Sequence, residues 1–387
     1  MWYFRSPEIV FGDGALNRLE AITGRRACIV TDAVLAQLGF VEQVQTLLHA
    51  AGLTTTVFAE IEPEPALETV QRGAAALRAF EPDWIIGLGG GSVLDAAKAM
   101  RALYERPDLE PAAINPFEPL GLHKTRLICI PTTSGTGADV TAGSVLSDVS
   151  AQRKLEVASF EMLAHISIVD PALTARLPRQ ATADTGLDVL SHAIEGYCNT
   201  WANDFTDGLC LQAARLVFEY LPRAVEQGAA DAEAREKMAN AATLAGLGMG
   251  NSHIALAHAM SHAYGALFPI PHGRITGLFL PYTIEFTAQN GAGRYLDLAR
   301  FIGSTATTEA EGARQLVAAL HSLYRRLGQP TALSETGLAR GDFEARLTEL
   351  CDRAEMDASL ITARRVPDRT ELTRLFFSAY EGMPIDF

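Results

Sequence analysis

The chain has 387 residues, of which 48% are hydrophobic and 20% charged, enough to bury a large core and too apolar for wholesale disorder. Its 32 basic and 46 acidic residues leave a formal charge of −14, which argues against a nucleic-acid partner gripped through its phosphates. At about 100–200 residues per domain, the length predicts two or three domains.

The start of the chain has no basic segment leading into an apolar one, so no secretory signal is expected. No apolar run reaches the ~18 residues of a membrane span. The most apolar stretch, 275–284, is short and contains Pro281. Cys28, Cys129, Cys198, Cys210 and Cys351 are scattered and never form a CxxC pair, which suits a reducing cytoplasm.

In chain order, residues 27–31 form a short apolar run ending at Asp32, as a buried parallel strand does. A helix is predicted over 41–52, with a glycine stop, then a strand at 54–58 and a helix over 67–80. A strand at 83–88 runs into Gly89-Gly90-Gly91-Ser92 and a helix over 93–105. A further strand at 126–130 ends at Pro131-Thr132-Thr133-Ser134-Gly135-Thr136-Gly137. This alternation predicts an α/β domain with a parallel sheet covered on both faces. After Pro171 the strand-like runs nearly vanish. Helices are predicted over 182–198, 207–226, 232–250, 254–268, 313–327 and 369–381, an all-helical bundle. The expected domains are 1–178, α/β and dinucleotide-binding, and 179–387, helical and metal-binding.

The segment from Gly87 to Ser92 lies between a strand and a helix. Its glycines let a ligand approach the backbone, and the helix start aims N–H groups and a positive dipole end at the loop. That suits a diphosphate, although Ser92 stands where the GxGxxG fingerprint has its third glycine, and a tight turn without ligand explains the loop as well. The hydroxyl-rich loop from Thr132 to Gly137 follows another strand, and ligands of open α/β sheets bind at that edge. Asp32, at the end of the first strand, suits either a ribose hydroxyl or a helix N-cap.

Five of the nine histidines fall between 192 and 272. Asp188 and His192 are i, i+4 on a predicted helix, as are His258 and His262, so each pair shares a face. His272 is expected in a loop, Pro269-Ile270-Pro271-His272-Gly273, that can turn back over the bundle. One carboxylate and several imidazoles suit Fe(II), Zn(II) or a similar divalent ion. His253 lies roughly 140° round the helix from His258, so the two are not expected to serve one ion.

Here the motifs resemble a known family. Gly89-Gly90-Gly91-Ser92 with Asp95 and Lys98 is similar to the GGGSxxDxAK segment of the iron-containing (group III) alcohol dehydrogenases. The segment from Pro131 to Gly137, with Val140-Thr141, resembles their PTTxGTGxxVT loop. Asp188, His192 and Glu195 resemble their DxxxHxxE helix, and His258, His262 and His272-Gly273 their HxxxH…HG segment. The match covers about residues 5–290. Beyond 330 no Asn-Pro-Arg element stands where the family often has one, and Val366-Pro367-Asp368-Arg369 lies near its place.

The resemblance implies a dehydroquinate-synthase-like fold with the active site between an α/β and a helical domain. It implies a metal, Fe(II) or Zn(II), held by Asp188, His192, His258 and His272, and proton relay by His262. It implies NAD across the glycine loops, with Asp32 favouring NAD over NADP. Contacts to the cofactor would come from Gly89, Gly90, Gly91, Ser92, Asp95, Thr132, Thr133, Ser134, Thr136, Thr141 and Lys154. A homodimer or an assembly of dimers is implied, with the strand-like segment 2–11 at an interface. The activity implied is hydride transfer between a primary or small secondary alcohol and the nicotinamide, the metal acting as a Lewis acid. Gly143, beside the second loop, is read as a place where the pocket could admit a bulkier alcohol. The alternatives are a lyase of the dehydroquinate synthase type and a glycerol dehydrogenase-like enzyme. The lyase would need basic residues for an anionic substrate, and the segments around Asp188 and His258 carry no Lys or Arg beside these residues.

Overall fold

The computed structural model describes residues 3–116, 118–149 and 153–387. The chain divides into two compact units, 1–176 and 177–387.

Unit one contains strands β1 (Glu8–Phe11), β2 (Arg26–Val30), β3 (Thr54–Phe58), β4 (Trp84–Gly89), β5 (Arg126–Pro131), β6 (Gly143–Asp148), β7 (Arg153–Ala158) and β8 (Ile166–Val169). Its helices are α1 (Ala33–Gln37), α2 (Phe40–Ala50), α3 (Leu67–Phe80), α4 (Gly91–Glu105) and α5 (Pro171–Thr174). Six strands form one parallel sheet in the order β1-β8-β5-β4-β2-β3. Of the expected N-terminal strand, Trp2 lies outside the described residues, and β1 begins at Glu8.

The apolar runs are continuous because both faces of the sheet are covered. Cys28, Val30, Ile85, Leu127 and Cys129 pack on one side with Val70, Leu77, Leu94 and Met100. Ala27, Ile29, Ile86, Ile128 and Ile130 pack on the other with Leu19, Val44 and Leu48. From β2 the chain moves outward to β3 and then returns to place β4 on the other side of β2. The topology therefore reverses between β2 and β4, where open α/β sheets bind ligands beyond the strands' carboxyl ends. Asp32 and the glycine loop follow those two strands.

Two features were not expected. β8 inserts between β1 and β5, and β6 and β7 form a separate antiparallel hairpin. The hairpin is tied to α4 by Lys98, which is fully buried and donates to Gly143 O at 2.7 Å, Asp95 Oδ1 at 3.1 Å and Thr141 Oγ1 at 3.4 Å.

Unit two is helical: α6 (Arg179–Cys198), α7 (Asp204–Gln227), α8 (Ala232–Gly250), α9 (Leu256–Gly265), α10 (His272–Gln289), α11 (Tyr295–Phe301), α12 (Glu309–Leu327), α13 (Arg340–Glu355) and α14 (Arg369–Glu381). Helix α6 is its axis: from Thr182 to Cys198 every residue but Thr185 is buried, and α7, α8 and α10 pack around it. The apolar stretch at 275–284 becomes part of α10, with Pro281 inside the helix. Proline has no N–H for the carbonyl four residues back. The Tyr324 hydroxyl takes its place, donating to Gly277 O at 2.7 Å. Among the described residues no helix is long and apolar enough to cross a membrane.

Candidate metal centre and cofactor loops

Asp32 caps α1: its Oδ1 accepts from Val34 N at 2.8 Å and Leu35 N at 2.9 Å. The capping reading thus holds, at a position that also faces the switch point. Gly90 is the N-cap residue of α4 and carries no side-chain cap. The first N–H groups of that helix have no intrahelical acceptor, as at any helix start, and suit an anion. The two loops are packed together. Thr132 N donates to Gly89 O at 3.0 Å, and a Cβ on Gly90 would stand 3.4 Å from Thr133 Cγ2. A Cβ on Gly91 would stand 2.8 Å from Thr136 Cγ2, so only glycine lets the second loop close on the first. Thr132 and Ser134 are buried in this packing.

The remaining cofactor candidates are tied to protein partners. Ser92 Oγ accepts from Glu64 N at 3.2 Å, and Lys154 pairs with Glu64 Oε1 at 2.9 Å. Thr141 Oγ1 accepts from Lys98 Nζ. Asp95 accepts from Lys98 on one carboxylate oxygen and from Val145 N, at 2.9 Å, on the other. One oxygen thus holds the hairpin directly and the other holds the lysine that ties it to α4. Gly143 sits at the hairpin's start, opposite Ala158, and its carbonyl serves Lys98.

In unit two, Asp188 and His192 come from α6, His258 and His262 from α9, and His272 from α10. His272 is not in a loop but is the first residue of α10, with Pro271 as N-cap. The Pro-rich text before it is what ends one helix and starts the next. Asp188 Oδ1 lies 3.8 Å from His192 Nε2 and 3.6 Å from His272 Nε2. Asp188, His258 and His272 each offer a ligand atom within 4.8 Å of the others'. His192 lies beside them, its ring stacked on that of His258 at 4.8 Å. His262 stacks on His272 at 5.4 Å. His253 stands apart, its ring edge-on to Trp201 at 5.8 Å.

The donor set fits a cation. Among the described residues, Asp188 Oδ1 and His258 Nε2 are buried without a hydrogen-bond partner, a cost that an ion held between them removes. Burial keeps the His258 imidazole in its neutral, ligating form. His258 Nδ1 donates to Glu195 Oε2 at 2.5 Å, which fixes the tautomer with the lone pair on Nε2.

Two acidic residues enter the site that the motif reading gave no role. Glu195 accepts from His258, from Ala257 N at 2.6 Å and from Ala255 N at 3.0 Å. Asp357 Oδ2 accepts from His262 Nδ1 at 2.9 Å. Glu195 was signalled by its place in DxxxHxxE; Asp357 lies far along the chain with no local signal.

A parallel dinucleotide-type sheet followed by a helical unit of this topology defines a dehydroquinate-synthase-like fold. The model described as "Iron-containing alcohol dehydrogenase" matches residues 6–171, and that described as "Fe-containing alcohol dehydrogenase family, C-terminal" matches residues 182–380. The chain belongs to the iron-containing alcohol dehydrogenase family and is an NAD(P)-linked alcohol dehydrogenase. It is 37% identical over 391 residues to the NADPH-dependent butanol dehydrogenase of Clostridium saccharobutylicum, covering 100% of both chains. The solved iron-containing alcohol dehydrogenase of Thermococcus thioreducens superposes with a TM-score of 0.90 at 32% identity, over 99% of this chain and 100% of that one. Sulfoacetaldehyde reductase of Bifidobacterium kashiwanohense, solved in complex with NAD+, gives 0.87 at 28% identity over 98% of each chain.

Proposed function

We propose that Asp188, His192, His258 and His272 hold one divalent metal ion, Fe(II) or Zn(II), and that the enzyme interconverts a primary or small secondary alcohol and its carbonyl compound with NAD. The observation that carries the reading is the buried, unpartnered pair of lone-pair atoms, Asp188 Oδ1 and His258 Nε2, in a cluster of imidazoles. When bound, such an ion supplies Lewis acidity to the substrate oxygen, and the nicotinamide gives or takes the hydride.

The chain's own residues do the rest. Glu195 orients His258 through Nδ1. Asp357 accepts from Nδ1 of His262 and so orients the ring that takes up or releases the proton exchanged with the alcohol. In unit one the start of α4 and the two packed loops receive the diphosphate, with Gly89, Gly90 and Gly91 giving backbone access. Asp32, just past the end of β2, would repel the 2′-phosphate of NADP, which supports NAD. Edge strand β1, with Phe11 exposed, supports a homodimer or an assembly of dimers. The five cysteines are buried and unpaired with one another, which supports a cytoplasmic protein.

His258→Ala tests the reading. The variant is expected to lose bound metal and most turnover, measured by elemental analysis and by absorbance of the reduced nicotinamide. Full metal content with parent activity would overturn the ligand assignment.

A further inference from the structure

Four polar side chains lie along one stripe of α6. Asp184, Asp188, His192 and Glu195 stand at i, i+4, i+8 and i+11, a band roughly 80° wide, and all four are buried, at 6%, 2%, 4% and 5% exposure. The inner pair are the ligands proposed above. The outer pair reach the two helices that carry the remaining ligands.

At one end, Glu195 grips the start of α9. That helix has Ala255 as N-cap residue and no side-chain cap of its own. Glu195 supplies one from α6, accepting from Ala255 N and Ala257 N, and the same carboxylate accepts from His258 Nδ1. A single group thus sets the position of the helix, the rotation of the ring and its tautomer.

At the other end, Asp184 grips the start of α10. Arg274, two residues beyond His272, donates to it through Nε at 3.0 Å and Nη2 at 2.9 Å, the fork geometry of a rigid guanidinium–carboxylate pair. Gln180 and Gln329 complete the acceptor shell of Asp184 Oδ1 at 3.0 Å and 2.9 Å. Between ligand and clamp lies Gly273. A Cβ there would meet Asp184 O at 2.2 Å and Asp188 Cβ at 2.7 Å, so the backbone of α10 rests directly on α6. His272 needs such a clamp more than its partners do, because its side chain, at 42% exposed, is the least buried of the four ligands proposed above.

We propose that Glu195 and Asp184, the latter with Arg274, are positioning residues of the metal centre. They fix His258 and His272 on α6 so that the ligand set is complete before the ion arrives. The inference rests on the ligand assignment above.

The test uses the full-length protein, stripped with a chelator and reloaded with Co(II), a spectroscopic stand-in for Fe(II) or Zn(II). Affinity is read by competition with a chromophoric chelator and geometry by the ligand-field spectrum. Glu195→Gln and Arg274→Gln are each expected to weaken Co(II) binding about 10- to 100-fold and to change the spectrum. Should Glu195→Gln fail to fold, Glu195→Asp is read in its place; it keeps the charge and loses the reach. Parent affinity with a parent spectrum in the folded variants overturns the inference. So does a fall in the melting temperature of the metal-free protein with affinity and spectrum unchanged, because that is the mark of structural cement alone. His258→Ala separates the two levels. If it binds Co(II) like the parent, the ligand assignment fails; if it loses Co(II) while the clamp variants do not, only the positioning roles fail.

Discussion

His262 Nδ1 and Asp357 Oδ2 meet at 2.9 Å across 95 residues of chain. The carboxylate comes from the end of unit two, in the segment just after α13, and is itself fixed by accepting from Ser359 N at 2.8 Å. Burial alone would push its pKa up; the hydrogen bond and charge of His262, with Ser359, outweigh this and hold it below the usual carboxylate range. Asp357 therefore remains ionised beside the imidazole that we assign to proton transfer.

Asp357→Asn keeps the side chain's shape and removes its charge. The turnover number for alcohol oxidation is expected to fall about 10- to 100-fold, as when a general base loses its orienting partner. Metal content should not change, since Asp357 touches none of the proposed ligands' donor atoms. Parent turnover would take Asp357 out of the proton path.

Asp32→Gly removes a negative charge from the carboxyl end of β2. The kcat/KM for NADP should rise and that for NAD should fall, read at saturating alcohol. Glycine is a tolerable N-cap, so loss of the bonds to Val34 N and Leu35 N should cost a few tenths of a kcal/mol. Unmoved NADP kinetics would sink the ribose assignment.

Arg101 and Glu105 form an ion pair in unit one with both side chains 2% exposed. Burial pushes the Glu105 carboxyl up, but it accepts from Lys124 N, Thr125 N and Thr125 Oγ1 and faces Arg101, and the balance lies below the usual range. At Glu105 the native state is therefore less protonated than the unfolded chain near the ordinary carboxylate pKa. The stabilisation is present above the unfolded carboxyl's pKa and is lost as pH falls through the lower, folded value. Glu105→Gln leaves the Arg101 charge buried without its counter-ion and should cost about 3 kcal/mol. Urea unfolding between pH 7 and pH 3 reads both effects; the variant should show a smaller loss on acidification than the parent.

His253 adopts a φ of +92°, a conformation that disfavours any residue with a Cβ. Replacing it by alanine removes the ring's contact with Trp201 and keeps the strain; replacing it by glycine removes both. His253→Gly is thus expected to be more stable than His253→Ala by about 1 kcal/mol in thermal unfolding. Equal stability would mean that the backbone relaxes when the ring is removed.

The β-α alternation was legible because buried parallel strands leave continuous apolar runs such as Ala27–Val30 and Leu127–Ile130, each followed by a turn. β6 was not, since Gly143-Ser144-Val145-Leu146-Ser147-Asp148 is half polar and is held by Lys98 from another element. The i, i+4 pairs Asp188/His192 and His258/His262 were visible because helix geometry is local. What escaped were partners set by tertiary packing: Asp357, Arg274 and the tie of Glu195 to α9. The start of α10 was misread for the same reason. Pro271 and Gly273 look like loop residues, yet one opens the helix and the other is small so that it can rest on α6.

Helix α6 is buried nearly all round, and a helix of that kind has no stability of its own in water. The helix that carries Asp188 and His192 therefore depends on the packing of unit two around it, which ties their arrangement to that fold. On the ligand assignment proposed above, metal uptake would fill a pocket already formed by the fold, with His272 its most exposed ligand. An ion that binds this folded pocket and not the unfolded chain must raise the melting temperature in proportion to the logarithm of its concentration.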